Sequence, residues 1–316
     1  MEYISIPGID IKISPITLGC DSKGFKKGYD MNSFLDEVYS YGLNSFDTAR
    51  GYGQSEEVLG NWIASRKNRS KVFVITKCCL PALGYIDRVK VKNIRKDLEK
   101  SLLTLQLDYV DALYLHRDSV KENPKALIEE MNSLIKEGKV KVIGVSNWTC
   151  DRIKIANDYA KEHGLHPFVI SSPQYSLANF EKDPWKGSAG CVSIQDKEDE
   201  LSFYREKEVA LFPYSSLARG FFSGKVPSTS IDFASSLDRA ARISYISERN
   251  LGRLARAEQL AKEKGVTPAA IDLAYLFSQG FVISCVTASN KPSRIKDNLD
   301  ASSIRLTKEE IKFLEG

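Results

Sequence analysis

Short apolar runs alternate along this chain with longer stretches in which apolar residues recur every three or four positions. The short runs predict β-strands, and the longer stretches predict amphipathic helices. The strand runs, such as KVFVITK at 71–77 and VKVIGVSN at 140–147, are apolar almost throughout. Such runs are typical of parallel strands that are covered on both faces, whereas half-exposed strands alternate apolar and polar residues.

The regular order of strand and then helix predicts an α/β fold. Counting from ITLGC at 16–20, the chain contains eight strand-like runs, a number that favours a closed (β/α)8 TIM barrel. The alternative is an open doubly wound sheet, but no GxGxxG follows the first strand and no GxxxxGK[ST] loop occurs. The segment before the first strand, residues 3–13, predicts a short β-hairpin around Pro7 and Gly8. We expect a single domain over residues 1–316.

Two segments interrupt this alternation. Residues 180–200 are too long and polar for a plain strand-to-helix loop, and residues 225–245 are rich in serine and arginine. Long loops in such folds usually act as lids or form variable surface. Because the α/β pattern resumes after each segment, neither is interpreted as a domain linker. We expect extended loops at the carboxyl-terminal mouth of the barrel.

Composition and charge exclude several classes of protein. The net charge is only +4, and lysines and arginines are interspersed with acidic residues, which argues against nucleic-acid binding. No apolar run approaches the roughly 18 residues of a membrane span. The start, MEYISIPGID, lacks the basic segment and apolar run of a signal peptide. We therefore expect a cytoplasmic protein without a membrane partner, and the sequence leaves its oligomeric state open.

The cysteines and histidines do not indicate a metal centre. Six cysteines are scattered without a CxxC pair, so reduced thiols are expected. The chain has three histidines, and two of them, His163 and His166, flank Gly164. This arrangement is typical of a helix end, where a basic side chain meets the last carbonyl groups. We expect no metal site.

Four polar residues lie at or just beyond the ends of three predicted strands. Asp47 and Tyr52 follow NSF, Lys77 ends KVFVITK, and His116 ends YVDALYLH. The carboxyl ends of parallel strands converge on one face of a barrel or sheet, so these side chains are expected to lie together. A carboxylate, a phenol, an amine and an imidazole can supply an acid, a group that tunes it, and a donor that polarises a carbonyl.

Electrostatics support such a site. Burying Lys77 after VFVIT is unfavourable without a partner, and Asp47 on the neighbouring strand is the natural counter-ion. Acid chemistry by Tyr52 near pH 7 needs a pKa decrease of up to about three units, or roughly 4 kcal/mol. One lysine about 4 Å away supplies about 4 kcal/mol at an effective dielectric near 20. His116 can donate a hydrogen bond to a substrate oxygen or help to relay the proton.

Each residue also has a purely structural explanation. Asp47 and Lys77 can form a structural ion pair, His116 can be a satisfied core histidine, and Tyr52 can be an exposed loop aromatic. Any one of these explanations is as good as the functional one. The joint placement of all four favours an active site.

The strings around these residues resemble the aldo-keto reductase superfamily. FDTARGYG followed by QSEEVLG carries the aspartate and tyrosine of that family's tetrad at Asp47 and Tyr52. The lysine of ITK corresponds to Lys77, and the histidine of LYLH corresponds to His116. Further strings occur in family order across nearly the whole chain: GVSN (144–147), PQY (173–175), YSSLARGFFSGK (214–225) and SNKPSRIKDN (289–298).

The resemblance implies a barrel that binds NAD(P)(H) extended across its mouth without a Rossmann domain. Ser146, Asn147 and Gln174 would hold the nicotinamide carboxamide, which needs a hydrogen-bond donor and acceptor in one plane. Tyr214 would stack on the nicotinamide ring. The other residues that the resemblance assigns to the cofactor are Gly19, Cys20, Asp47, Ser215, Leu217, Gly220, Ser289, Arg294, Asp297 and Asn298.

Within that set, different residues would read different parts of the cofactor. Ser215, Leu217 and Gly220 would line the pyrophosphate. Arg294 corresponds to the arginine that contacts the adenosine 2′-phosphate, and Asp297 with Asn298 would read the adenine edge.

The chain departs from the family pattern at three places. Thr287 and Ala288 stand where the family often has proline and glycine or lysine, which leaves Arg294 as the clearest 2′-phosphate ligand and favours NADP(H) over NAD(H). Cys20 stands where a threonine is frequent. Residues 180–200 match no family string. Here Trp185, with Lys182 and Lys186, could close over a polar, sugar-like substrate, although a solvated surface loop is the simpler interpretation.

The sequence therefore predicts an NADP(H)-dependent oxidoreductase that interconverts a small aldehyde or ketone and its alcohol. Tyr52 would act as general acid and base, Lys77 and Asp47 would tune its pKa, and His116 would orient the carbonyl. Two alternatives remain. One is a barrel aldolase that uses Lys77 as a Schiff-base nucleophile, and the other is a nucleotide-sensing accessory subunit on a reductase scaffold.

Overall fold

The computed structural model describes residues 2–185, 190–229 and 235–316. Eight parallel strands form one sheet in the order β7-β6-β5-β4-β3-β2-β1-β8. The strands are β1 (Ile16–Gly19), β2 (Ser45–Asp47), β3 (Phe73–Cys78), β4 (Val110–Leu115), β5 (Val140–Ser146), β6 (Phe168–Ser172), β7 (Ala210–Leu211) and β8 (Cys285–Thr287).

The two outer strands of this order also contact each other. The Leu211 N–H donates to Val282 O at 2.8 Å, and the Ser284 N–H donates to Leu211 O at 3.0 Å. These bonds join β7 to the segment entering β8, so the sheet closes on itself. The predicted (β/α)8 barrel is confirmed.

Helices lie between successive strands and cover the outside of the barrel. They are α1 (Lys23–Lys26), α2 (Asn32–Ser40), α3 (Ser55–Arg66), α4 (Val91–Leu105), α5 (Pro124–Lys136), α6 (Cys150–Glu162), α7 (Glu198–Arg205), α8 (Arg239–Tyr245), α9 (Glu248–Lys264), α10 (Pro268–Phe277), α11 (Pro292–Ala301) and α12 (Lys308–Glu315). Two short helical turns, Ala218–Gly220 and Phe221–Lys225, follow β7. At least one helix forms between each pair of successive strands, as the alternation predicted.

The core has two parts. A large apolar cluster fills the space between the strands and the helices. A smaller cluster fills the barrel interior and includes Phe73, Tyr114 and Phe212 together with Ile6 and Ile13 from the N-terminal segment. The predicted N-terminal hairpin forms as an antiparallel bridge between Ile4 and Ile13. Because this segment closes the barrel at the amino ends of the strands, the opposite end is left as the mouth.

The sequence SEEVLGNWIASRK at 55–67 predicts a helix with Ser55 as its capping residue, and this start is wrong in detail. The cap position of α3 is Gln54, and Ser55 is the first helical residue rather than the cap. The Ser55 hydroxyl instead lies 2.6 Å from Cys20 O and 2.7 Å from Tyr52 O. It therefore ties the loop that carries Tyr52 to the end of β1.

Candidate active site

The structure brings the four predicted catalytic residues together at the mouth. Asp47 is the last residue of β2, Lys77 precedes the last residue of β3, and His116 follows β4 directly. Tyr52 comes from the loop after β2. All four line a cavity of about 1040 Å³ at the carboxyl ends of the strands.

Lys77 is fixed by a buried ion pair. Its ammonium group bonds the Asp47 carboxylate, and both side chains are about 95% buried, with exposures of 4% and 6%. A second bond runs from Lys77 Nζ to Thr48 O at 3.0 Å. Burial alone would lower the pKa of Lys77, but Asp47 and Tyr52 raise it by more, so the amine stays charged.

Tyr52 stands between the ammonium and the imidazole. Its hydroxyl lies 3.5 Å from Lys77 Nζ and 3.5 Å from His116 Nε2. The Tyr52 and His116 rings meet edge to face, with centroids 5.5 Å apart at 80°. Burial, with Lys77 and Arg117 nearby, holds the pKa of His116 well below its usual range. The imidazole is therefore neutral at physiological pH, and its Nε2 faces the phenol.

The net pKa shift of Tyr52 has the opposite sign to the sequence expectation. Burial raises the pKa of Tyr52 to about 12, and the lowering by Lys77 offsets only part of this. The expectation overlooked two opposing contributions: the desolvation of the phenolate, and the negative charge of Asp47 beside the lysine. Tyr52 is thus a neutral phenol in the neutral pH range, which is the form able to donate a proton.

A tight turn holds Tyr52 in place. The Tyr52 N–H donates to Ala49 O at 3.0 Å. The next residue, Gly53, has φ +60°, and a Cβ there would lie 2.6 Å from Lys26 O. Both the left-handed conformation and the close backbone approach require glycine at this position.

Most of the predicted cofactor residues surround the same cavity. Those that line it, besides Asp47, are Gly19, Ser146, Asn147, Tyr214, Ser215, Leu217, Gly220, Ser289, Arg294, Asp297 and Asn298. They come from strand ends, from the helical turns after β7 and from the start of α11. The cavity is therefore elongated from the four residues at the strand ends to the first turn of α11.

Two predicted cofactor residues do not reach the cavity. Gln174 is fully buried, and its amide is bonded to Ser176 Oγ at 3.2 Å and Ser193 Oγ at 2.6 Å. Cys20 is also fully buried, and its Sγ lies 3.6 Å from Leu18 O. Both side chains are engaged within the protein, so the structure does not place them where the sequence analysis expected.

Asn147 is the centre of a hydrogen-bond network on the cavity wall. Its Nδ2 donates to Ser146 Oγ at 3.0 Å, and its Oδ1 accepts from the Tyr214 hydroxyl at 2.8 Å. The backbone of Asn147 has φ +61°, which an asparagine tolerates better than most residues. The network fixes the amide plane and the position of the Tyr214 ring together.

The sequence analysis missed several charged residues of the cavity. They are Asp21, Lys26, Arg117, Arg219, Lys225, Asp238 and Lys291. Four had a readable signal, because Arg117 directly follows His116, Arg219 and Lys225 lie in the YSSLARGFFSGK string, and Lys291 lies in the SNKPSRIKDN string. The remaining three, Asp21, Lys26 and Asp238, lie outside these strings, and their place in the cavity depends on tertiary packing.

The loop of residues 180–200 contributes Trp185 to the cavity wall. Asp183 holds the loop by accepting bonds from the Trp185 and Cys191 N–H groups, each at 2.8 Å. Lys182 does not line the cavity. Lys186 lies outside the described residues.

Residues 2–185, 190–229 and 235–316 contain no cluster of three or more His, Cys, Asp or Glu side chains suited to a metal ion. Among the helices of the same residues, none has the length and apolar character needed to cross a membrane.

A closed (β/α)8 barrel with a buried ion pair, a neutral phenol and a neutral imidazole around an elongated cavity defines a barrel enzyme equipped for proton transfer. The comparison with known families is more specific. The Aldo/keto reductase family model matches residues 17–316, and the chain belongs to that family. Members of this family are oxidoreductases that act on small-molecule carbonyl compounds and alcohols with nicotinamide cofactors.

Similar proteins agree with this assignment. The chain is 30% identical to an aryl-alcohol dehydrogenase of Pestalotiopsis microspora, over 98% of this chain and 80% of that protein. It is 28% identical to norsolorinic acid reductase B of Aspergillus parasiticus, over 98% and 82%. The crystal structure of the thermostable aldo-keto reductase Tm1743 superposes with a TM-score of 0.71 at 22% identity, covering 100% of this chain and 99% of that one. At this level of identity, the similarity to Tm1743 shows that the two proteins share a fold.

Proposed function

We propose that this protein interconverts an aldehyde or ketone and its alcohol with NADP(H), using Tyr52 as the proton donor and acceptor. The observation that carries the proposal is the position of the Tyr52 hydroxyl, 3.5 Å from both a charged lysine and a neutral histidine. All three groups line the cavity that most of the predicted cofactor residues also line. Family membership supports the oxidoreductase class.

The cavity residues fit a nicotinamide cofactor. Ser172 Oγ is buried, has no hydrogen-bond partner among the described residues, and belongs to a residue of the cavity wall. It lies next to the Ser146 and Asn147 pair, since Ser146 Oγ donates to Ser172 O at 2.8 Å. A carboxamide needs both a donor and an acceptor, and these side chains offer both. Tyr214 would fix the face of the ring that points to the substrate.

In the proposed mechanism the cofactor supplies the hydride when bound. Tyr52 holds a proton on its hydroxyl and delivers it to the carbonyl oxygen. Lys77, kept charged by Asp47, stabilises the phenolate that remains. His116 donates from Nε2–H to orient the same oxygen, and its low pKa keeps the imidazole neutral while it does so.

Preference for NADP(H) is proposed from the residues at the start of α11. Lys291 and Arg294 line the cavity there, and neither forms an ion pair within the described part of the chain. Lys291 is the residue before the helix, and no side chain caps the free N–H groups of its first turn. A helix N-terminus and two cations together favour a phosphate group.

Substitution of Tyr52 tests the mechanism. We expect Tyr52→Phe to lose at least about 100-fold in kcat for carbonyl reduction, because general-acid catalysis contributes roughly that much. NADPH binding, followed by protein fluorescence, should persist. Tyr29→Phe is the matched control, since Tyr29 is exposed and lies outside the cavity. Full reductase activity in a folded Tyr52→Phe protein would exclude the mechanism, and NADPH binding without turnover of any carbonyl would favour an accessory subunit.

Substitution of Arg294 tests the cofactor preference. Arg294→Ala should weaken NADPH binding by about tenfold and leave NADH binding unchanged, since a hydrogen bond between charged groups contributes about 1.5–3 kcal/mol. The control is Lys296→Ala on the same helix, whose side chain pairs with Asp300 at 2.6 Å. Equal weakening of both cofactors by Arg294→Ala would contradict the proposal.

The relatives' names suggest an aromatic substrate, and we extend this proposal to the present chain. Leu80, Pro81, Trp185 and Phe222 line the cavity and provide apolar and aromatic surface. Such a wall suits an aryl carbonyl better than a sugar. A screen that compares benzaldehydes with aldoses in the presence of NADPH decides between the two.

A further inference from the structure

Arg117 occupies the cavity wall beside the proposed proton-transfer residues. It follows His116 directly and lines the same cavity. Its Nη1 contacts Cys191 Sγ at 3.4 Å, and its guanidinium carbon lies 5.8 Å from the centroid of the Trp185 ring. Its Nε is buried and has no hydrogen-bond partner among the described residues.

Within the described residues, Arg117 forms no ion pair with a carboxylate. The neighbouring Asp118 instead accepts from Arg152 Nε at 2.6 Å. Other cations of the cavity do have carboxylate partners: Lys77 with Asp47, Lys26 with Asp21 at 2.9 Å, and Arg219 with Asp238 at 2.7 Å. Lys225, Lys291 and Arg294 have no such partner among the described residues, but they are exposed to water. Arg117 is instead partly buried, and its charge is not balanced by a carboxylate within the described residues.

Among the described residues, the Cys191 thiol and the Tyr214 hydroxyl touch Arg117, and neither neutralises its charge. Burial raises the pKa of the Cys191 thiol, so the sulfur stays protonated. Burial also raises the pKa of Tyr214 well above its usual range, so the phenol is neutral. A guanidinium that is largely removed from water without a counter-charge is unfavourable. The position therefore suits an anion supplied by a ligand.

We propose that Arg117 binds a carboxylate carried by the substrate, so that the preferred substrates are aryl carbonyl compounds with an acidic group. This inference rests on the proposed function and specifies its substrate class. The guanidinium can make two parallel bonds to a carboxylate, and the adjacent Trp185 face can hold the aromatic ring. His116 and Arg117 are consecutive residues, so one small molecule can reach Tyr52 with its carbonyl and Arg117 with its acid.

A cofactor phosphate is a poorer occupant for this position. The exposed cations proposed for phosphate, Lys291 and Arg294, lie at the start of α11. Arg117 instead lies against Tyr214, whose hydroxyl bonds Asn147 Oδ1 at the proposed carboxamide end. The carboxamide is uncharged, so it does not neutralise the positive charge of the Arg117 guanidinium.

The test compares 4-carboxybenzaldehyde with 4-formylbenzamide, an uncharged molecule of nearly the same shape, under saturating NADPH. We expect kcat/KM to favour the acid by about tenfold or more in the natural protein, mainly through KM. Arg117→Met should remove this preference, and Arg117→Lys should retain part of it. Lys26→Met is the control, because Lys26 lines the cavity but already has Asp21 as partner. In Lys26→Met the ratio of kcat/KM for the acid to kcat/KM for the amide should equal that of the natural protein.

A binding measurement separates failure of this inference from failure of the proposed function. Calorimetric titration of the NADP⁺-saturated protein with terephthalate and with terephthalamide requires no turnover. Tighter terephthalate binding that is lost in Arg117→Met supports the carboxylate site even if neither aldehyde is reduced. Equal use of both aldehydes, or a preference that survives in Arg117→Met, overturns the inference while leaving the reductase function intact. Weaker NADPH binding in Arg117→Met with an unchanged substrate ratio would assign Arg117 to the cofactor and also overturn it.

Discussion

Tyr52, Lys77 and Asp47 place three ionisable groups within a few ångströms of one another, and the side chains of Lys77 and Asp47 are buried. Burial opposes ionisation of the phenol, and the charged lysine favours it. The result is a pKa of about 12, so the phenol is the dominant form at neutral pH. This form suits reduction, in which Tyr52 gives up a proton. The reverse reaction needs Tyr52 to accept one, so the two directions depend differently on pH.

Alcohol oxidation should therefore accelerate with pH. Only the deprotonated fraction of Tyr52 accepts a proton, and this fraction grows about tenfold per unit below the pKa of about 12. We expect kcat/KM for oxidation to rise with a slope near one between about pH 7 and pH 9, and reduction to stay nearly flat. Lys77→Met removes the charge that lowers the phenol pKa, so oxidation at fixed pH should fall by about 100-fold or more.

The control for Lys77→Met is the double variant Lys77→Met with Asp47→Asn. The single variant leaves Asp47 buried without a cation, which destabilises a protein by roughly 3–5 kcal/mol. The double variant removes that penalty and should fold more stably. It should also recover part of the oxidation rate lost in Lys77→Met, because the Asp47 charge raises the pKa of Tyr52, while staying slower than the natural protein. An oxidation rate in either variant that matches the natural protein across the pH range would refute the role of Lys77.

The placement of the four residues at the mouth and the pairing of Lys77 with Asp47 were predictable, but the pKa of Tyr52 and the partners of Gln174 were not. Residues at the carboxyl ends of parallel strands must converge on the mouth, which is why Asp47, Lys77 and His116 were found from sequence. The sign of the Tyr52 pKa shift depends on how much water the fold excludes, and no local string encodes this. Likewise, Gln174 lies outside the cavity because its amide is bonded to Ser176 and Ser193, partners that only the folded chain brings to it.

At the scale of single elements, α3 and α4 pack so closely that one position between them has no room for a side chain. A Cβ at Gly60 of α3 would lie 2.2 Å from Leu105 O and 2.7 Å from Leu105 C at the end of α4. These are backbone atoms, so they cannot turn away as a flexible side chain would. The glycine therefore sets the distance between the two helices.

We expect Gly60→Ala to destabilise the protein by about 1–3 kcal/mol, because inserting an atom into a packed contact forces a backbone shift. The matched control is Gly252→Ala in α9, where a Cβ would meet nothing closer than Arg256 Nη1 at 3.4 Å. Alanine in a helix should stabilise it there by about 0.5–1 kcal/mol. Urea unfolding of both variants measures the difference. Equal stability of Gly60→Ala and the natural protein would show that the helices adjust freely.

Long periodic elements were predicted well from sequence, and short ones were not. Helix α9 forms at Glu248–Lys264, and its sequence, ERNLGRLARAEQLAKEK, carries a clear helical period over its whole length. Helices α1 and α8 have four and seven residues, too few for a periodic pattern to stand out. Helix α12 was overlooked although Thr307 and Glu310 form a capping box, a readable signal.

At the scale of the whole molecule, closure of the barrel joins the beginning and the end of the chain. Strand β8 pairs with β1 on one side and contacts β7 through Leu211 on the other. The alternation of strands and helices was sufficient to predict a barrel. The hydrogen bonds of Leu211 that close it depend on tertiary packing and were not predictable. We propose that the chain unfolds as one domain. Because β1 and β7 are both hydrogen-bonded to β8 or to the segment entering it, neither can detach without opening the barrel.

A buried carboxyl group links this global stability to pH. Asp272 of α10 is fully buried, and its Oδ1 accepts from the Leu177 N–H at 2.8 Å while Oδ2 has no partner among the described residues. Burial raises the pKa of Asp272 well above its usual range. In the unfolded chain the same carboxyl ionises near pH 4. Ionisation therefore favours the unfolded state, and stability from this group is lost as pH rises above that value.

Asp272→Asn should remove the loss of stability that ionisation of Asp272 causes as pH rises. Asparagine keeps an oxygen for the Leu177 N–H but carries no ionisable proton. Relative to the natural protein, the variant should gain several degrees in Tm at pH 8 and much less at pH 5, with the difference growing between these values. Asp300→Asn on the exposed face of α11 is the control, since its pairing with Lys296 is open to water and should shift Tm little at either pH. If the Tm difference between Asp272→Asn and the natural protein is the same at pH 5 and pH 8, the carboxyl is not the source of the pH dependence.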